Sequence, residues 1–171
     1  MPNPTPNSTV IQKRTLSVLV KNEAGVLTRI AGMFSRRGYN IESLAVGTCE
    51  KPGLSRMTIV ALADEDEIEQ IKKQLDKLID VLSVESLEQI PFVDRELILI
   101  QVKALTSNRL EISQIVELFR GRVVDVAANS LIIEVTGDQG KLKAIIELLQ
   151  KFEILAICRT GQIALPRGNK D

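Results

Sequence analysis

The chain has 171 residues, of which 44% are hydrophobic, 26% charged and 3% aromatic, with net charge +0 and no histidine. That length suits one ordinary domain or two small ones on an aliphatic core, and the charge balance gives no global attraction for nucleic acid or an anionic membrane. Without histidine the commonest general base and metal ligand are missing, no apolar run reaches the roughly 18 residues of a membrane span, and Cys49 and Cys158 fit no metal spacing and read as reduced thiols of a cytoplasmic protein, in a bacterial cytosol or a plastid-like compartment.

Residues 1–13 read as a flexible polar tail, with three prolines among Met1–Gln12 and no apolar segment of a secretory signal. Thr15–Lys21 is a short, mostly apolar strand. Val26, Leu27, Ile30, Ala31 and Phe34 recur at helical spacing up to Gly38. Tyr39–Cys49 reads as a strand, Lys51-Pro52-Gly53 as a turn and Leu54–Ala63 as the returning strand. Ile68, Ile71, Leu75, Leu78 and Ile79 mark a second helix, and Val81–Ile90 a strand. After Pro91 the order starts again. Glu96–Ala104 is a strand, and Ile112, Ile115, Val116 and Phe119 lie on a helix ending at Gly121. Arg122–Ala128 and Ser130–Thr136 form a hairpin around Asn129. Leu142, Ile145, Ile146 and Leu149 give a helix, and Ile154–Leu165 the last strand.

The halves resemble one another. Met33–Val46 (MFSRRGYNIESLAV) lies over Leu118–Leu131 (LFRGRVVDVAANSL), and Lys77–Leu82 (KLIDVL) over Gln150–Leu155 (QKFEIL). The offset falls from 85 residues between Phe34 and Phe119 to 73 between Asp80 and Glu153, so the second hairpin is the shorter. The expected architecture is α+β: two ferredoxin-like βαββαβ units, over residues 14–91 and 92–171, each a four-stranded antiparallel sheet with helices on one face. In Tyr39–Thr48 neither alternating set, Ile41, Ser43, Ala45, Gly47 or Asn40, Glu42, Leu44, Val46, Thr48, is cleanly polar. The sheet face away from the helices is therefore expected to pack too, against the other half or another subunit.

The richest local feature is Lys21-Asn22-Glu23-Ala24-Gly25-Val26-Leu27, between the first strand and the first helix. A turn opening a helix offers free N–H groups and a partial positive charge, which suit a carboxylate. Gly25 allows a close approach or a positive φ, Asn22 can both donate and accept, and Val26 and Leu27 add apolar surface. Such a site fits a free amino acid with an aliphatic side chain; an ordinary strand-to-helix turn also explains the residues.

Other segments carry weaker signals. Arg36 and Arg37 complement a helix end, and the acids Asp64, Glu65, Asp66 and Glu67 sit where a helix begins. Gly137-Asp138-Gln139-Gly140-Lys141 fails the P-loop pattern, because Leu142 stands where Ser or Thr belongs, and Asp138 reads as a helix cap.

Gly38-Tyr39-Asn40-Ile41-Glu42-Ser43 and Leu54-Ser55-Arg56-Met57-Thr58 change the weight of the loop. The run NEAGVLTRIAGMFSRRGYNIESL followed by LSRMTI resembles the ACT domain of acetolactate synthase small subunits. The likeness continues through QIKKQLDKLIDVLSV, RELILIQV, IVELFRGRVVDV and TGQIALPRG (Thr160–Gly168), nearly the whole chain after residue 13. The resemblance implies a homodimer through paired ACT domains, with valine at the interface. Asn22, Glu23, Ala24, Gly25, Val26 and Leu27 of one subunit would face Asn40 and Ile41 of the other. Asn22 and Asn40 would hold the ligand's ammonium and carboxylate, the backbone from Glu23 to Leu27 the carboxylate, and Leu27 and Ile41 the isopropyl group. It also implies a non-catalytic chain that activates a large catalytic subunit and confers feedback by valine. Thiamine diphosphate, Mg and FAD are expected on the large subunit and no cofactor or metal on this chain.

The second half, at Lys103–Arg109, has no glycine in its loop, so no second amino-acid site of this kind is expected there. An RNA-recognition module shares the βαββαβ order, but its base-stacking aromatics are missing from Leu54–Ala63. An enzyme in its own right finds no nucleophile–base pair, and a DNA-binding regulator no basic segment. A free-standing ACT-domain amino-acid sensor with a different partner is the alternative reading.

Overall fold

In the first half β1 (Gln12–Lys21), β2 (Asn40–Thr48), β3 (Leu54–Ala63) and β4 (Val81–Ser86) form an antiparallel sheet in the order β2-β3-β1-β4, with α1 (Val26–Arg37) and α2 (Glu65–Leu75) as the helices. This is a computed structural model, and it describes residues 10–168. The second half repeats the plan: β5 (Phe92–Lys103), α3 (Arg109–Leu118), β6 (Arg122–Val126), β7 (Ser130–Gly137), α4 (Gln139–Leu149) and β8 (Ile154–Arg159), with sheet order β6-β7-β5-β8. A short last strand, β9 (Ile163–Pro166), pairs with β5. Two ferredoxin-like βαββαβ units, an α+β architecture, are therefore present.

Each unit has its own aliphatic core. Leu16, Val18 and Val20 of β1 and Met57, Ile59 and Ala61 of β3 alternate onto one face, and Ile30, Phe34, Ile71 and Leu75 cover them from the helices. In the second unit Ile98, Ile100 and Val102 meet Leu131, Ile133 and Val135 under Ile112, Ile145 and Leu149. The period of two on the strands and 3.6 on the helices explains why these residues select these elements.

Caps set the helix ends. Gly38 takes φ 71, and the N–H groups of Gly38 and Tyr39 donate to Ser35 O and Phe34 O, a Schellman ending for α1. Asp64 and Glu67 form a capping box on α2, and Asp138 accepts from Lys141 N–H to cap α4, so the acids read from sequence at these places serve the helices.

Several boundaries differ from the sequence reading. β1 begins at Gln12, inside the expected tail; Lys13 already pairs with Glu42, and the rest of the tail, up to Thr9, lies outside the described residues. α2 ends at Leu75, before Leu78 and Ile79. Leu78 N–H bonds to Leu75 O at three residues' distance, and Val81 N–H to Leu78 O. These turns send Ile79 outward, 85% exposed, and Asp80 inward, 5% exposed. β4 stops at Ser86, not Ile90, because Ile90 N–H turns back to Leu87 O. β2 does not alternate simply: a bulge between Ile41 and Ser43 opposes Ala61 and Val60. It puts Ile41 and Leu44 on the core face, where they pack on the first core.

The expected single strand Ile154–Leu165 is two strands. Gly161 takes φ 87, and Thr160 Oγ1 accepts from Leu97 N–H and donates to Gly161 O. By packing, residues 164–168 belong with residues 10–93, and Asp94–Ile163 make the other unit; a division at residue 92 does not anticipate this return. On the first sheet's face away from its helices, Thr15, Ser17 and Thr58 are buried, and Ala164 N–H donates to Thr58 Oγ1. Part of the cover expected for that face is thus the chain's own last strand.

The second hairpin is shorter, as the offset implies: β6 has 5 residues where β2 has 9. α3 ends before Gly121, and it is Arg120 that takes the positive φ, 52. Gly121 is there for room. A Cβ would stand 2.8 Å from Val135 Cγ2 and 3.1 Å from Glu134 O. Gly121→Ala should therefore lower stability by about 1–3 kcal/mol through overpacking, read as a fall in the denaturant midpoint; an unchanged midpoint would mean that β7 yields without cost.

Candidate functional site

The loop of residues 22–25 is held at both ends by backbone bonds. Lys21 N–H donates to Asp80 O and Asn22 N–H to Gly53 O, both at 2.9 Å. The second unit has the same clasp, Lys103 N–H to Glu153 O and Ala104 N–H to Asn129 O, so the internal repeat extends to this detail. Beyond the clasp the two units part. In the first, Asn22, Glu23, Ala24 and Gly25 are all exposed. In the second, Ala104 is buried, and the Arg109 guanidinium bonds to the carbonyls of Ala104, Ala127 and Ala128.

Gly25 is the N-cap of α1 with φ 86 and ψ -10, a left-handed conformation that side chains disfavour. No side chain caps this helix, and no acid stands in its first turn. α2 has both, α3 has Glu111, and α4 has the Asp138 cap. The first bond of the helix ladder is Arg29 N–H to Gly25 O, at 2.9 Å, so the N–H groups of Leu27 and Thr28 lie ahead of it. The positive end of α1 is thus left uncompensated on an exposed loop, where a carboxylate is favoured.

The apolar residues divide. Leu27 is 42% exposed and available beside the loop, whereas Val26 is 3% exposed and belongs to the core. Ile41, read from sequence as lining for an aliphatic side chain, faces the core of its own unit. Asn40 is exposed at the start of β2. One chain does not bring it to the loop. Asn40 pairs with Leu62, and Leu62 with Lys13; the loop follows Lys21, eight residues along β1, which at about 3.3 Å per residue is roughly 26 Å away.

Two residues that the sequence reading passed over stand against the loop. Asp80 is buried, and its Oδ2 accepts from Arg29 Nε at 2.5 Å. A Cβ at Gly25 would lie 2.9 Å from Arg29 Nη1, so the guanidinium rests on the glycine. The available signal was the lone acid in the apolar run Leu78-Ile79-Asp80-Val81-Leu82, since a charge among aliphatics is kept only with a partner. Nearby in the β2–β3 turn, a backbone hydrogen bond foremost, and then Arg56, hold the Glu50 carboxyl below its usual range. Arg37, at the end of α1, donates to Gln74 Oε1 of α2 at 2.9 Å.

Among the described residues no group of three or more His, Cys, Asp or Glu could hold a metal, and no helix is long and apolar enough to cross a membrane.

Two family models match the chain: "Small subunit of acetolactate synthase" over residues 95–168, and "AHAS small subunit-like ACT domain" over residues 16–83. A probable acetolactate synthase small subunit of Archaeoglobus fulgidus is 51% identical over 158 residues, 92% of this chain and 99% of that protein. The acetolactate synthase small subunit of Aquifex aeolicus is 49% identical, over 92% of this chain and 82% of its own length. The crystal structure of the small subunit from Thermotoga maritima superposes with a TM-score of 0.84 at 42% identity, covering 94% of this chain and 100% of that one.

Proposed function

The chain belongs to the family of acetolactate synthase small subunits, and on that premise we propose that it is a regulatory subunit that activates a separate catalytic large subunit and makes it sensitive to valine. The observation that carries the effector part is the exposed, uncapped, acid-free N-terminus of α1 behind the left-handed Gly25. It offers N–H groups and positive potential to a carboxylate, with Leu27 beside them for an aliphatic side chain.

The complete site takes two chains. β2 is an edge strand, and such an edge can continue the sheet into a second copy. Antiparallel β2–β2 pairing about a two-fold axis carries the start of one β2 towards the end of the other. Asn40 of the second copy then approaches the loop end of the first, supplying the polar side chain that a single chain keeps about 26 Å away. Asn22 and that Asn40 would share the ligand's ammonium and carboxylate. Ile41, turned into its own core, supports Asn40 from behind.

Regulation follows if the ligand binds one arrangement of the paired units more tightly than another; only that difference can act on a docked enzyme. A coupling of about 1–3 kcal/mol is enough for ordinary feedback. The thiamine diphosphate chemistry, with Mg and FAD, belongs to the large subunit, and the residues here bind the effector and the partner.

The test is to mix the chain with the large subunit of acetolactate synthase and follow acetolactate formation with and without valine. The expected result is a higher rate on mixing and a lower one on adding valine. If mixing changes neither rate nor valine response while the chain alone still binds valine, the free-standing sensor takes its place.

A further inference from the structure

Arg29 and Asp80 lie outside the residues assigned to the ligand above, yet they are tied to the loop from both sides. Asp80 holds the end of β1 through its carbonyl, which accepts from Lys21 N–H. Its carboxylate holds the first turn of α1 through Arg29 Nε. The loop of residues 22–25 runs between these two points. Asp80 is buried and Arg29 is not: their side chains are 6% and 47% exposed. A buried carboxylate that keeps its charge needs a cation, and here the cation is shared with the surface.

The placement of that guanidinium is specific. It lies over Gly25, near enough that a Cβ there would meet Nη1 at 2.9 Å. Arg29 N–H bonds to Gly25 O, so main chain and side chain of one residue both close on the glycine. An arginine fixed by Nε keeps its planar fork, whose donors match a carboxylate. The second unit has Gln114, not an arginine, at the position that the 85-residue offset sets over Arg29; the guanidinium at its own loop, Arg109 at the start of α3, donates to the carbonyls of Ala104, Ala127 and Ala128. In the first unit no carbonyl of the loop takes that role.

Resting on the effector reading above, we propose that Arg29 is a specificity residue of the site. Its guanidinium reads the effector's carboxylate together with the N–H groups that open α1, and the buried Asp80 is the positioning residue that aims it. Val26 and the core fix the helix; Arg29, its charge partly offset by Asp80, adds the remaining N–H donors of a fixed planar fork to those of the helix end. A ligand with the same side chain and ammonium but no carboxylate is thereby rejected.

The experiment is calorimetry of the full chain with two probes, L-valine and L-valinamide, whose carboxylate is replaced by a neutral amide. The unaltered chain should prefer valine by about 100-fold or more. Arg29→Gln should weaken valine by about 10- to 100-fold, the loss of one charge-assisted bond, and leave valinamide nearly unchanged, so that the preference collapses. Asp80→Asn should move both quantities the same way by a smaller factor, and Arg29→Lys should restore part of the preference. If Arg29→Gln weakens both probes equally, the residue only supports the fold and the inference is overturned; circular dichroism and the thermal midpoint of each variant identify that case. If the unaltered chain binds valine and Arg29→Gln keeps its preference, the inference alone fails. If the unaltered chain gives no heat with valine, the effector reading fails first, and this one with it.

Discussion

Gly25→Asp is expected to abolish the heat of valine binding and to make the rate of the mixed enzyme the same with and without valine. Three effects act together at this position. The backbone sits at φ 86, and a side chain in the left-handed region costs about 1–2 kcal/mol, least for Asp and Asn. The new Cβ would stand 2.9 Å from Arg29 Nη1 and displace it. Most of all, a carboxylate attached to the N-cap would satisfy the N–H groups of the first turn from within the chain, at the place the ligand's carboxylate needs. The first two effects alone would weaken binding; the third occupies the N–H donors themselves. Aspartate is also a good N-cap, so the fold should survive, and an unchanged far-ultraviolet dichroism spectrum is part of the expected result. Heat of binding equal to that of the unaltered chain would show that the ligand's carboxylate lies elsewhere.

Phe34→Ala is expected to lower the stability of the first unit by about 3–5 kcal/mol, the usual range for removing a buried ring. Phe34 is 1% exposed, among the largest buried side chains, and meets Tyr39 edge-on with centroids 6.1 Å apart. Since a domain has only about 5–15 kcal/mol in total, this loss is a large fraction. It should be local. The two cores share no residue, so denaturant unfolding of the variant should separate into an early step for the first unit and a later one for the second. A single cooperative step at a shifted midpoint would mean that the units unfold as one.

Much of this was legible from the residues because local signals and burial agree. The alternation in Leu54–Ala63 and the spacing of Val26, Ile30 and Phe34 place the same side chains in the core that period alone selects. The repeat was legible too, down to the shorter second hairpin. Three things escaped. Leu78 and Ile79 continue a helical spacing, but burying Asp80 with Arg29 requires turns that end α2 first, and a pairing across 51 positions leaves no mark on local periodicity. The bulge at Glu42 shifts the register after Ile41, so that Ile41 and Leu44 both face the core, which no alternation rule foresees. The return of Ala164 depends on one left-handed glycine in Thr160-Gly161-Gln162, read from sequence as continuous strand. For the candidate site, the sequence singled out the loop and Gly25. It passed over the Arg29–Asp80 pair beside them: Asp80 stands out as the lone acid of an apolar run, but its partner lies 51 positions away and carries no mark of the pairing.

The bond from Ala164 N–H to Thr58 Oγ1 joins residues 106 positions apart, with the whole second unit made in between. At a synthesis rate of about 5–20 residues per second, the ribosome delivers Thr58 roughly 5–20 s before its partner. For that interval the nascent first sheet carries a wet hydroxyl and a half-open face, while the intervening unit is free to fold on its own local contacts. The order of completion is therefore inside out: the unit begun first waits for the one made after it, and Thr58 gains its partner only when β9 leaves the exit tunnel.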